Sequence, residues 1–253
     1  MRSLIITVAG KATRFNKDLS SPTLKCLYYE GNYKNSLLYQ IIEKAEVVDE
    51  IIIVGGYLFD DLVSFIETHS FPDKHRIKII YNEHYITKGS GWSLYLGIRE
   101  VSHSSEEIIF VEGDLYYSKE DFDKICQCEN NVLTINREPI LASKAVVVYI
   151  NLKNEVKYLY DISHNFLEIN EPFLAIFNSG QIWKFKNYNK LINILEGLDS
   201  HLLSGTNLVI IQKYFESIRY SEINFIDLFT WINCNTVNDY NKAYNLINGI
   251  SEF

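Results

Sequence analysis

What most constrains the fold of this chain is a repeated alternation of short apolar runs with stretches of helical period. Residues 4–9 form a compact apolar run rich in β-branched side chains (Ile5, Ile6, Thr7, Val8) and stopped by Gly10. Residues 50–54, 77–81 and 108–111 repeat the pattern, the second run ending at Gly55-Gly56 and the last at Glu112-Gly113-Asp114. Runs of that length bounded by turn residues read as buried strands. Between them, residues 37–45 place Leu38, Ile41, Ile42 and Ala45 on one helical face. Leu62, Phe65 and Ile66 mark a second helix, and residues 92–101 a third, after a Gly-Ser-Gly turn. Strands alternating with helices predict an α/β chain with a mixed, mainly parallel sheet flanked by helices on both faces.

The second half changes character. Residues 132–135, 145–150, 156–160 and 173–177 read as strands with shorter connections, and residues 181–195, 208–217 and 237–247 as helices. We expect one domain over residues 1–253, in two halves of different pattern, 1–130 and 131–253. Only 4 prolines and 12 glycines occur, and no linker, repeat or low-complexity stretch interrupts the pattern. In an open α/β sheet ligands sit at the carboxyl ends of the strands, so the loops after the first, third and fourth strands are where chemistry is expected.

Composition narrows the classes. The net charge of −8, from 24 basic and 32 acidic residues, argues against a general nucleic-acid binder, which needs a basic stripe to neutralise phosphates. A single triphosphate needs only two or three cations and some backbone N–H groups, so a nucleotide remains compatible. Cys26, Cys126, Cys128 and Cys234 lack the spacing of a zinc site and read as thiols in a reducing compartment. The first apolar run is too short for a signal peptide and no run is long enough to span a membrane. A cytoplasmic protein, monomer or homodimer, without membrane or nucleic-acid partners is the expectation. His84, His103 and His164 show no metal spacing and receive no role.

Two constellations could carry chemistry. After the first strand comes Gly10-Lys11-Ala12-Thr13-Arg14-Phe15, and then Pro22-Thr23-Leu24-Lys25. Backbone N–H groups in such a loop can cradle phosphate oxygens. Arg14 adds a planar fork and Lys25 a movable point charge. A basic surface loop is common, so alone the pattern decides little. At the end of the fourth strand, Asp114 is placed to hold Mg²⁺ through oxygen, beside Glu112 and Gly113. Aspartate is also an ordinary residue at a strand end.

Together these elements resemble the sugar-phosphate and choline-phosphate nucleotidyltransferases. That family carries a strand, a Gly-x-Gly-[Thr/Ser]-Arg loop, a downstream lysine and a strand ending in aspartate. The resemblance implies a Rossmann-like, nucleotide-diphospho-sugar-transferase-like fold, related to the GT-A fold. It also implies transfer of a nucleoside monophosphate from an NTP to a small phosphorylated or phosphonate acceptor, with release of pyrophosphate. By position, Arg14 and Lys25 take the catalytic triphosphate contacts. Ala9, Gly10, Lys11, Ala12, Thr13 and Glu112 line the nucleotide. Lys88-Gly89-Ser90-Gly91-Trp92-Ser93-Leu94 resembles the family's Gly-Thr-[Ala/Gly] segment beside the base, with Gly89, Ser90 and Gly91 as its nucleotide contacts. Phe177-Asn178-Ser179-Gly180 resembles the acceptor loop, with Asn178, Ser179 and Gly180 as its contacts. Cys234-Asn235-Thr236-Val237-Asn238-Asp239-Tyr240 resembles the closing segment that supplies a second metal ligand. Asp114 and Asn235 are therefore the implied Mg²⁺ ligands.

Two positions depart from the family. Ala12 stands where the loop has its second glycine, and Leu24 where a proline precedes the lysine. Residues 92–96, Trp-Ser-Leu-Tyr-Leu, look like a segment of bacterial CTP:phosphocholine cytidylyltransferases. CTP is thus the expected nucleotide, with a sugar-1-phosphate enzyme using another NTP as the alternative. An aromatic cage for a quaternary ammonium acceptor could draw on Trp92, Tyr116, Trp183 or Trp231, of which Trp92 and Tyr116 are the acceptor-site candidates. A GT-A-type glycosyltransferase and a non-catalytic nucleotide-binding protein are the competing classes.

Overall fold

The computed structural model describes residues 1–142, 146–159 and 166–250. In chain order its regular elements begin with β1 (Arg2–Thr7), α1 (Leu37–Lys44), β2 (Glu50–Gly55), α2 (Phe59–Thr68), β3 (Ile77–Tyr81), α3 (Ser90–Arg99) and β4 (Glu107–Glu112). Then follow β5 (Leu115–Tyr117), α4 (Lys119–Gln127), β6 (Asn131–Asn136), β7 (Val147–Asn151), β8 (Val156–Leu159) and β9 (Phe173–Phe185). The last are α5 (Tyr188–Gly197), α6 (Ser200–Leu203), α7 (Leu208–Glu216), β10 (Ile223–Leu228), β11 (Trp231–Asn233) and α8 (Val237–Ile247).

The main sheet runs β10-β6-β9-β4-β1-β2-β3, with β7 and β8 added alongside β9. β1 pairs in parallel with β2 and β4, β2 with β3, and β6 with β10. β9 is antiparallel to β4, β6 and β7, so strands from both halves of the chain share one sheet. This is the mixed, mainly parallel sheet that the alternation predicts.

The apolar runs are buried because helices cover both faces. Leu4 and Ile6 of β1 join Leu38, Ile41 and Ile42 of α1, Leu62 and Phe65 of α2, and Phe122 of α4 on one face. Ile5 points the other way, to Leu94 and Ile98 of α3, Trp183 of β9, Leu191 of α5 and Ile211 of α7. A strand with both faces buried loses the alternating pattern and reads as a continuous apolar run.

The structure corrects the sequence reading around residue 181. Residues 181–185 continue β9 instead of opening a helix, and the helix starts at Tyr188 behind the Asn187 side-chain cap. Ile182, Trp183 and Phe185 are buried on both faces of a central strand, whose spacing imitates a helical stripe. β5, α4, β10 and β11 were not anticipated. Ala145 and Tyr160, at the edges of two expected strands, lie outside the described residues, as does His164. Among the described residues no helix is long and apolar enough to cross a membrane.

Candidate functional site

A cleft of about 450 Å³ opens at the carboxyl ends of β1 and β4. Its lining comes from three sequence regions: residues 7–10 and 12 with 24–26, residues 85, 88–90 and 93, and residues 112–114. The parallel arrangement explains this convergence, since β1 and β4 are neighbours and their following loops leave the same edge.

The loop after β1 is folded around one side chain. Asn16 Nδ2 lies within hydrogen-bond distance of the carbonyls of Lys11, Ala12 and Thr23, and its Oδ1 accepts from the Thr23 N–H at 2.8 Å. Both limbs of the loop are thereby tied together. Ala12 adopts φ +50°, in the left-handed region. A glycine would enter that region freely, whereas alanine pays about 1–2 kcal/mol for its Cβ. The backbone shape expected of a glycine is thus retained with alanine in place. Leu24 is buried, anchoring the second limb in the core beside Cys26.

At the end of β4, Lys25 Nζ reaches Asp114 Oδ2 at 2.6 Å. Asp114 Oδ1 is buried and has no hydrogen-bond partner among the described residues. Glu112 faces the same cleft and accepts from Asn207 Nδ2 at 2.7 Å. Burial raises the Glu112 carboxyl to about 7, the charge of Asp114 pushes the same way, and Asn207 and Lys25 oppose them. The site therefore holds two carboxylates that resist sharing charge, with one oxygen left open.

Gly89 and Gly91 owe their identity to packing. The Gly89 N–H donates to the Ser204 carbonyl at 2.7 Å and the Gly91 N–H to the Gly205 carbonyl at 3.0 Å. A Cβ on Gly89 would overlap the Gly205 carbonyl, and one on Gly91 would stand 2.8 Å from the Leu203 carbonyl. Ser90 Oγ accepts from the Asn207 N–H at 3.0 Å. The α6–α7 connection is thus pressed onto the loop that opens α3.

The third side comes from the C-terminal region. The Cys234 N–H donates to the Asp114 carbonyl at 2.8 Å, which sets the following residue beside the end of β4. Asn235 Oδ1 accepts from Arg14 Nη2 at 2.9 Å, and its Nδ2 donates to Asn233 Oδ1 at 2.8 Å. Thr236 caps α8, with Asp239 completing a capping box and also accepting from the Asn235 N–H at 3.1 Å.

Ala9, Gly10, Ala12, Lys25, Gly89, Ser90, Glu112 and Asp114 all line the cleft. Arg14 and Asn235 meet each other across 221 positions of sequence. Lys11 and Thr13 line a neighbouring surface depression with Asn16, Pro22 and Tyr57. Gly91 and Trp92 stand on the first turn of α3 outside the cleft lining, Trp92 with Lys88 Nζ over its ring.

The acceptor-side residues are placed differently from expectation. Tyr116 is buried on β5 against Leu37, Cys234 and Ala243. Asn178, Ser179 and Gly180 are buried inside β9, where the Ser179 and Gly180 carbonyls accept from Asn136 and Trp231. A central strand consumes its backbone groups in neighbours, so this segment is no free loop. Trp183 is core, stacked on Phe110. Sequence reasoning missed Tyr85 in the lining and Asn16 and Asn207 behind it, and it quoted Lys88 and Ser93 within the base-side segment without assigning them a contact. Residue types so common carry no signal of their own.

Asp114 offers a hard oxygen donor in the cleft lining, where its buried, unpartnered Oδ1 suits a cation, and Asn235, outside that lining, offers an amide oxygen that accepts from Arg14. Among the described residues no cluster of three or more His, Cys, Asp and Glu side chains could hold a metal. Mg²⁺ needs no such cage, because it keeps waters and takes substrate phosphates as ligands beside one or two protein oxygens. The residues present fit that ion.

Three solved structures share the fold over nearly the whole chain. The inositol-1-phosphate CTP transferase from T. maritima superposes with a TM-score of 0.71 at 16% identity, covering 100% of this chain and 97% of that one. A candidate glucose-1-phosphate thymidylyltransferase from Bacillus anthracis, crystallised with sucrose, gives 0.72 at 16% identity, covering 100% and 98%. The CTP:phosphocholine cytidylyltransferase from Streptococcus pneumoniae gives 0.64 at 14% identity, covering 97% and 99%. The sheet order and flanking helices are accordingly those of the Rossmann-like nucleotide-diphospho-sugar-transferase fold. No curated protein matches the chain in sequence. A family model does match it, over residues 21–247, and the chain belongs to that family, described as a domain of unknown function (DUF6564).

Proposed function

We propose that the chain is a metal-dependent nucleotidyltransferase, joining a nucleoside monophosphate from an NTP to a small phosphorylated acceptor and releasing pyrophosphate. One observation carries this reading: Lys25 meets Asp114 in the lining of a cleft of about 450 Å³ at the strand ends, and Arg14 bonds Asn235, the residue that follows the Cys234 N–H bond to the Asp114 carbonyl. A triphosphate loop with two cations suits an NTP better than the diphosphate of an NDP-sugar.

The acceptor phosphate oxygen attacks the α-phosphorus in line. A new O–P bond forms as the bridging bond to the β-phosphate breaks, and the electron pair leaves with pyrophosphate. The attacking oxygen is already anionic, so no general base is required. Arg14 and Lys25 are assigned to the β- and γ-phosphates, where they would stabilise the leaving charge. The loop tied by Asn16 holds them in position, and positioning is itself a large part of such a rate. Mg²⁺ held by Asp114 and Asn235 would supply neutralisation of the two phosphates that must approach each other.

CTP is our choice of nucleotide. Two of the three structural neighbours are named for it, and residues 92–96 resemble a cytidylyltransferase segment. The acceptor class follows from what the three named substrates share: inositol-1-phosphate, glucose-1-phosphate and phosphocholine are all phosphomonoesters. Pyrophosphate release over a grid of NTPs and phosphomonoesters with Mg²⁺ tests the reading. Turnover with CTP and one acceptor is expected; tight nucleotide binding without turnover on any pair would favour a binding protein instead.

A further inference from the structure

An asparagine at a cation site has a problem that an aspartate lacks. Its amide has one acceptor and one donor end, and only Oδ1 can face a positive charge. In this chain the orientation is held by a row of three amides. Asn233 Nδ2 donates to Gln181 Oε1 at 2.9 Å, Asn235 Nδ2 donates to Asn233 Oδ1 at 2.8 Å, and Asn235 Oδ1 faces Arg14. Guanidinium is donor-only, so Arg14 fixes the sense of the row at its Asn235 end. Turning Asn235 alone would set its amino group against Arg14 and its oxygen against another oxygen.

The far end of the row is an unusual piece of backbone. Gln181 is buried in the middle of β9 with φ +57°, a left-handed conformation that side chains other than glycine seldom adopt. It lies at a bulge, where the β6 partners shift between Leu133 and Ile135, and Thr134 Oγ1 bonds both the Ile182 N–H and carbonyl. Bulges re-aim side chains, and strained conformations persist where surrounding structure enforces them. Here the outcome is a buried glutamine oxygen turned toward β11.

We propose that Gln181 and Asn233 are positioning residues that lock the Asn235 amide with its oxygen on the Arg14 side, making it competent to bind a divalent cation. The inference rests on the metal assignment made under the proposed function. It extends that assignment to two residues that touch neither substrate nor metal.

The test is Mn²⁺ binding to the full chain, alone and with CTP, read from the electron paramagnetic resonance signal of free Mn²⁺. Wild type, Asn233→Leu and Gln181→Leu are compared, each also in an Asn235→Asp background. A carboxylate presents oxygen whichever way it turns, so in that background the row has nothing left to orient. Loss of an outer-shell partner usually weakens metal binding about 10–100-fold. We expect Asn233→Leu and Gln181→Leu to weaken Mn²⁺ binding roughly 10-fold or more with Asn235 present, and by less than about 3-fold with Asn235→Asp. Thermal melting identifies a variant that fails to fold, and the other variant then decides.

Equal affinity of both single variants and wild type would overturn the proposal and leave the transferase reading intact. An equal loss in both backgrounds would overturn it too, by showing a merely structural role. If wild type binds no Mn²⁺ with or without CTP, the row and the metal assignment fall together. Pyrophosphate release then judges the transferase reading separately.

Discussion

The two ends of β1 and β4 carry charge clusters of opposite temperament. At the amino ends, Glu107 is surrounded by Arg2, Lys184 and Lys186. Lys184 is completely buried, yet its ammonium also reaches the carbonyls of Ile125, Cys126 and Cys128 at the end of α4. Burial alone would raise the Glu107 carboxyl, but hydrogen bonds from Lys186 and Arg2 and the field of Lys184 outweigh it and hold the group at about 2. At the carboxyl ends the ratio is reversed: Glu112 and Asp114 crowd together, and one Asp114 oxygen has no partner among the described residues. One cluster is saturated and serves stability. The other is left short of positive charge, which is what a cation-assisted site requires.

Four outcomes would sharpen or break this contrast. The largest is expected at the carboxyl end: Asp114→Asn or Lys25→Ala should lower turnover about 10²–10³-fold, the scale of losing one charge-stabilising group. The pair is only 19% and 18% exposed, so Lys25→Ala, which strands the Asp114 charge, should lose stability as well, and turnover is therefore read per folded molecule. Wild-type pyrophosphate release by both variants would remove the site assignment.

The amino-end cluster should behave in the opposite way. Glu107→Gln leaves the buried Lys184 without its carboxylate and should cost about 3 kcal/mol in urea unfolding, with turnover per folded molecule unchanged. The sign with pH follows from a depressed carboxyl. Its stabilising contribution is fully present above the unfolded value of about 4.3 and is lost as pH falls through that range toward about 2. The difference in stability between wild type and Glu107→Gln should therefore shrink as acid is added. A constant gap down to the lowest measurable pH would contradict the charge argument.

Asn207→Leu should come next, destabilising by about 2 kcal/mol, because it removes a hydrogen bond to the Glu112 carboxylate and leaves that group without it. Chemical denaturation is a sufficient check, and a neutral result would place Glu112 in solvent. The smallest effect is Ala12→Gly, which should stabilise by about 1 kcal/mol or less through relief of the left-handed Cβ contact. A loss of stability there would mean that added freedom in the unfolded chain outweighs the strain.

How much of this could be read beforehand differs by region. β1 to β4 were legible because strands buried on both faces announce themselves as apolar runs, and the alternation with helices dictates a parallel sheet. The first part of β9, residues 173–177, was legible as a strand, but its continuation from 181 was misread for a physical reason: a bulge at Gln181 and burial on both faces erase the period of two. In the candidate site, Arg14, Lys25 and Asp114 stood out through residue type and place in the loops after strands, and Asn235 only through the resemblance of the closing segment. Asn207 and Gln181 did not stand out, because an amide becomes informative only when its distant partner is known, such as Glu112 at 95 positions from Asn207. The bonds of Asn16 are local, but a polar loop residue gives no sign of which carbonyls it ties. The segment 178–180 had the composition of a loop, but pairing with β6 and β7 makes it a strand.

The contact between the Gly89–Gly91 loop and the Ser204–Asn207 turn also says something about when this cleft comes into being. Ser90 and Asn207 are separated by 117 positions, so no amount of local structure formation can bring them together early. During synthesis, β1 to β4 can associate well before the turn that presses on their ligand-facing edge has been made. The residues that line the cleft all precede that turn, so a nascent chain would hold the whole lining before the turn that braces its Gly89–Gly91 side exists. A ligand that binds the braced form more tightly would then favour, by mass action, chains that had folded to the end.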